Sequence, residues 1–173
     1  MIVKMWEISL DKELFPWSLQ PVMWMEGGSK EVTSKQSNPN VAVILQIRSK
    51  KEKCFSQEVV YDVHEILFIQ LEVENIGSEE ISRVIVSHMI RDHFAYIPNT
   101  LQTSKGTGEF LFQLVRWRID ELLPGEKAQL ICQVKASRIQ IPSHISLRAT
   151  YTFQQKGRLY GPLQTKEAIL IQQ

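Results

Sequence analysis

The sequence predicts an all-β fold: an immunoglobulin-like antiparallel β-sandwich with an N-terminal extension. Three observations carry this reading. Apolar and polar residues alternate with period two through most of the chain. Turn residues punctuate the alternating runs at spacings of about 8–12 residues, as in sandwiches. No run of about ten residues keeps a helical repeat, and residues 120–123 offer one turn at most.

Taken in order, residues 2–10 read as one strand, and the extension they open runs to residue 38. It holds Trp6, Phe15, Trp17, Met23 and Trp24 together with Pro16 and Pro21. Residues 29–40 are polar and linker-like. The sandwich is expected over 39–173. Its strand candidates are 41–48, 58–63, 67–74, 81–89, 94–98, 111–119, 128–134, 145–151, 158–163 and 167–171. Within them Leu67, Ile69, Leu71 and Val73 face one way, and Gln70, Glu72 and Glu74 the other. Leu111, Val115, Trp117 and Ile119 form a second inward set, with Trp117 as its core anchor. Ala128, Leu130, Cys132 and Val134 form a third, and Ile145, Leu147, Ala149 and Tyr151 a fourth. Asn75 to Ser78 reads as a tight hairpin turn with Gly77 at positive φ, and Pro124-Gly125 as the centre of a type II turn.

Composition narrows the function. The 173 residues carry 20 basic and 19 acidic groups, a net charge of +1. Nucleic-acid binders need a basic excess to displace counterions, so none is expected here. Residues 1–57 hold 8 basic and 6 acidic groups, leaving 12 and 13 for the remainder, so no region is strongly polarised. The longest uncharged stretches, 14–25 and 36–47, fall short of the roughly 20 apolar residues of a membrane helix. Glu7, Asp11 and Glu13 interrupt any secretory leader. Synthesis in the cytoplasm without membrane insertion is the expectation. Two cysteines, Cys54 and Cys132, are too few for a disulfide scaffold and are read as free thiols.

Chemistry-bearing patterns are sparse. No nucleophile elbow, phosphate loop or dinucleotide fingerprint is present, and neither an enzyme nor a cofactor or metal centre is expected. His88, Arg91 and His93 are loop candidates for ligand contact, with Asp92 between the histidines. Asp62 and His64 are placed on one strand face. Arg48, Lys50, Lys51 and Lys53 make a basic cluster, read as a solvated hairpin tip. The aromatic extension is the informative anomaly, because Trp and Met concentrate at interface cores. It either covers its own sandwich or docks on a partner.

Several motifs follow one another as in a known family. Val73-Glu74-Asn75-Ile76-Gly77-Ser78 resembles a "V-x-N-x-G" strand and turn. Phe94-Ala95-Tyr96-Ile97-Pro98-Asn99-Thr100 resembles an "F-x-Y-x-P-x-S/T" piece. Trp117 to Ala128 reads as "W-x-I-x-x-L-x-P-G-E-x-A". On these residues the chain, over about 39–172, resembles the conserved repeat domain of bacterial and archaeal surface proteins, domain-of-unknown-function family eleven. The resemblance implies an immunoglobulin-like extracellular structural module. It differs where the family carries Asp and a Pro-x-Gly turn, since His88, Arg91 and His93 stand there. The expected function is a non-enzymatic assembly protein, a spore-envelope or appendage component that either docks on a protein partner or self-associates with sister subunits as a homo-oligomer. The alternative is a monomeric module binding a glycan or peptide through loops 88–93 and 102–109.

Overall fold

Period-two alternation gives a strand wherever one face can be dried, and that happens thirteen times among the described residues, 40–137 and 144–173 of the computed structural model. No helix occurs among them. The strands are β1 (Val41–Ser49), β2 (Glu58–Tyr61), β3 (Ile66–Asn75), β4 (Ile81–Met89), β5 (Phe94–Tyr96), β6 (Gln102–Thr103), β7 (Thr107–Leu111), β8 (Leu114–Leu122), β9 (Lys127–Ala136), β10 (His144–Leu147), β11 (Ala149–Gln155), β12 (Arg158–Gln164) and β13 (Ala168–Gln172).

One antiparallel sheet runs β1-β3-β9, with β5 and β6 both lying along the far edge of β9. A second runs β12-β11-β4-β8-β7. A small third sheet, β10-β13-β2, contains a parallel pair, β13 with β2. The inward residues of the two large sheets merge into a single core that includes Leu45, Leu71, Val86, Trp117, Leu130 and Phe153. Trp117 is fully buried, and its indole Nε1–H donates to the Lys105 carbonyl at 2.9 Å. That bond fixes the loop between β6 and β7, where the chain changes sheets. Gly106 in this loop has φ +78°, and a Cβ there would lie 2.1 Å from the Arg118 carbonyl oxygen.

Several expectations need correction. Residues 111–119 are not one strand. A two-residue turn, Phe112-Gln113, with φ of 48° and 66°, folds β7 back on β8. Positive φ at both positions is the type I′ signature, usually carried by Asn-Gly, and Phe-Gln hid it. Leu111 therefore pairs with Leu114 and does not share the Trp117 face. Residues 145–151 keep one inward face but break at Arg148, so β10 pairs with β13 and β11 with β4 and β12.

The segment after Asn75 is not a hairpin turn, because β3 and β4 belong to different sheets. Gly77 is needed there for proximity and not for positive φ: a Cβ would sit 2.7 Å from the Asn40 Cβ. Residues 120–122 supply the end of β8, and Leu123 opens the turn after it, instead of a helical turn. Residues 62–65 form a turn after β2, with His64 at φ 67°, so Asp62 and His64 share no strand face. Gly125 does take φ +75°, and Glu126 N–H donates to the Leu123 carbonyl at 3.0 Å. The extension, with Trp6, Phe15, Trp17, Met23 and Trp24, lies outside the described residues.

Candidate functional site

The expected ligand loop around His88, Arg91 and His93 divides in two. His88 is no loop residue. It lies in β4, 2% exposed, with its side chain in the core. The Arg148 carbonyl can only accept, so His88 carries its proton on Nδ1 and donates to that oxygen at 3.0 Å. Its Nε2 is buried and has no hydrogen-bond partner. Burial holds the imidazole below its ordinary pKa; the Arg148 bond opposes this, and the Arg91 charge adds to it.

Arg91 and Asp92 are exposed beyond the end of β4, while His93 is half-buried. The carbonyl of His93 accepts from the backbone N–H and hydroxyl of Ser137. A recess of about 430 Å³ is lined by His88, Met89, Arg91, Ser146, Arg148 and Gln164. One of its two arginines is already engaged, since Arg148 pairs with Glu167 at 3.1 Å and Glu167 also accepts from Ser146 at 2.8 Å. These two bonds, Ser146 first, hold the Glu167 carboxyl below its usual pKa.

The basic cluster between β1 and β2 is partly neutralised in the same way. The Arg48 guanidinium lies over the Phe68 and Phe55 rings, at 4.2 and 5.2 Å from their centroids. Lys51 forms an ion pair with Asp62. Cys132 is buried, and burial pushes its thiol up to about 12, while Cys54 is exposed; neither is in a disulfide. Among the described residues no three His, Cys, Asp or Glu side chains are placed to hold a metal ion. No helix among them is long and apolar enough to cross a membrane.

Sequence reasoning missed two surfaces. One is the β7–β8 turn, where Phe112 is 97% exposed with Leu111 and Met89 beside it, each more than half exposed. The turn is held firmly. Gln113 accepts from Ile90 N–H at 2.8 Å through its carbonyl, and its side-chain amide donates to Asp92 at 3.0 Å. An aromatic side chain fixed in solvent on a two-residue turn has the character of a contact residue. Its signal lay in Phe112-Gln113 interrupting the alternation that leads to Trp117. The other surface is the outer edge of β1. It has no neighbouring strand among the described residues over its first half, and Ser56 bridges to it at Ile47.

Neither a protein-family model nor a characterised protein sequence matches this chain. Solved structures do. A D312A form of BcpA, the major pilin subunit of Bacillus cereus, superposes with a TM-score of 0.59 at 10% identity. The match covers 75% of this chain and 40% of the pilin. The full-length major pilin SpaD of Corynebacterium diphtheriae gives 0.55 at 8% identity, over 75% of this chain and 34% of SpaD. The fold is an immunoglobulin-like β-sandwich. The match spans well under half the length of either pilin, and at such identities the likeness is one of fold.

Proposed function

We propose that this chain is a non-enzymatic assembly protein: a surface-type β-sandwich module of a spore envelope or appendage that joins sister subunits or protein partners. The exposed Phe112 turn, with Leu111 and Met89 beside it, is the observation that carries the reading. Apolar side chains fixed in solvent cost solubility and are retained where a partner covers them. The pilin-like fold and the resemblance to surface repeats support the same class. The N-terminal extension, with Trp6, Trp17 and Trp24, supplies a second adhesive element. Near-zero net charge removes the mutual repulsion that would keep copies apart.

Light scattering of the full chain over a wide concentration range tests this. The expected result is masses above that of one chain, falling when Trp6, Trp17 and Trp24 are together changed to Ala. A full chain that stays single at every concentration overturns the reading.

The second reading, a monomeric module for a glycan or peptide, is favoured by the Arg91–Arg148 recess. It requires no self-association. It expects calorimetric binding of an anionic oligosaccharide that is lost in an Arg91→Ala, His93→Ala double variant.

A further inference from the structure

The sheet β12-β11-β4-β8-β7 ends in two edge strands of unlike character. At one end β12 is interrupted: Pro162 has no N–H, and the register with β11 shifts between Tyr151 and Phe153. At the other end β7 is regular. Its five residues pair with β8 in unbroken register and include neither Pro nor Lys. The two-residue turn fixes which backbone groups are used. Leu111 and Leu114 flank it and bond to each other, so Glu109 and Thr107 also bond toward β8. The N–H and C=O groups of Gly108 and Phe110 point the other way. Among the described residues they have no backbone partner. This edge is open to solvent: Thr107 and Leu111 are exposed, and the three residues between them are half-buried.

The edge is also held in shape from within. Phe110 stacks on Tyr96 with ring centroids 4.0 Å apart. Gly108 lies so close to Leu101 that a Cβ would come 2.4 Å from its Cδ2. A strand fixed on its inner face loses little freedom when its edge is paired.

We propose that β7 pairs antiparallel with β7 of a second copy, across a twofold axis through Glu109. Two five-stranded sheets then join into one of ten strands. The proposal rests on the assembly reading above and names its partner as an identical chain.

The strand is self-complementary about Glu109. Gly108 meets Phe110 of the second copy, and Phe110 meets Gly108, so every outward backbone group of the two residues is used. Leu111 meets Thr107 of the second copy, and Phe112 comes over its Gly106. Gly106 and Thr107 are small and exposed, so the bulky end of each strand lies on the slim end of the other. On the solvent face the two Glu109 carboxylates approach each other at the axis. Each already pairs with Arg118 at 2.9 Å and stands opposite Arg116 in the β7–β8 register. Four arginines thus bracket two carboxylates and offset their repulsion.

Cysteine cross-linking tests both the edge and the register. All variants are full length and carry Cys54→Ser, which leaves only the buried Cys132 as a native thiol. Glu109 faces its own copy at a non-hydrogen-bonded position, with Cα atoms about 4.5 Å apart, a distance a disulfide spans. Glu109→Cys should form a covalent dimer under mild oxidation at least tenfold faster than Leu111→Cys, whose mate across the axis is Thr107. Thr107→Cys mixed with Leu111→Cys should give the heterodimer at least tenfold faster than either homodimer. Glu109→Cys cross-linking no faster than Leu111→Cys overturns the edge proposal, and leaves the assembly reading standing where light scattering still shows association. An unmodified chain that is monomeric at every concentration overturns both.

Hydrogen exchange on the unmodified chain gives a readout that needs no variant. The amides of Gly108 and Phe110 should slow at least tenfold as concentration rises. Rates that do not change with concentration overturn the proposal.

Discussion

The two ends of the β4–β8 ladder each bury a polar side chain, and they treat it in opposite ways. At the Ile81–Leu122 end lies Asn75, fully buried and fully satisfied. Its amide donates to the Glu79 and Leu122 carbonyls at 2.7 and 2.9 Å, and its Oδ1 accepts from Gly77 N–H at 3.1 Å. Its own N–H and carbonyl bond to Glu126 and Gly125. One side chain thus joins the two loops that cross between the sheets. At the Met89–Leu114 end lies His88, equally buried, with one nitrogen bonded and the other without a partner. The first end is a fixed joint. The second carries a titratable group in the core and, just outside it, apolar side chains in solvent.

The sharpest way to break this contrast is Asn75→Ala. It strands two loop carbonyls and one N–H, and should cost about 2–4 kcal/mol in urea unfolding. A loss below about 1 kcal/mol would mean that the joint carries little. Gly77→Ala attacks the same end through space. Its new Cβ must displace the Asn40 Cβ from 2.7 Å, with an expected loss of about 1–2 kcal/mol.

At the other end, His88→Leu should change stability by no more than about 1 kcal/mol at pH 7, because it removes a bond and an orphaned nitrogen together. Its readout is the pH dependence. His88 is held below its ordinary value in the folded state, so at falling pH the unfolded chain takes up a proton that the folded chain refuses. The natural chain should therefore lose stability as pH falls below about 6.5 and on toward the lower folded value. His88→Leu should lack this loss while keeping any carboxylate loss below about pH 4.5. Identical profiles would remove His88 from the account. The smallest effect is expected at the turn itself. Phe112→Asn suits positive φ and should add a few tenths of a kcal/mol to stability while reducing self-association.

The strands of the core were legible because burial on one face imposes a period of two that each segment shows locally. The Leu67–Val73 and Ala128–Val134 faces needed nothing beyond their own residues. Legibility ended at the connections. Asn75 to Ser78 looks the same in sequence whether it closes a hairpin or crosses between sheets, and only the pairing of β3 with β1 and β9 decides. Phe112-Gln113 carries no turn residue, and its positive φ values are imposed by the register of β7 on β8. His88 follows Ser87 like any strand-end residue, and its burial is decided by the placing of β4 between β8 and β11, with the Arg148 carbonyl against its ring.

By itself, then, the sequence determined the all-β class, the inward face of Val115, Trp117 and Ile119, and the neutral, weakly polarised charge, since each is written in local alternation and composition. Tertiary structure alone decided which strands are neighbours, that β10 and β11 separate at Arg148, and that among the described residues β1 meets only Ser56 across its outer edge. Those are outcomes of long-range backbone pairing, which depends on every other strand competing for the same hydrogen bonds.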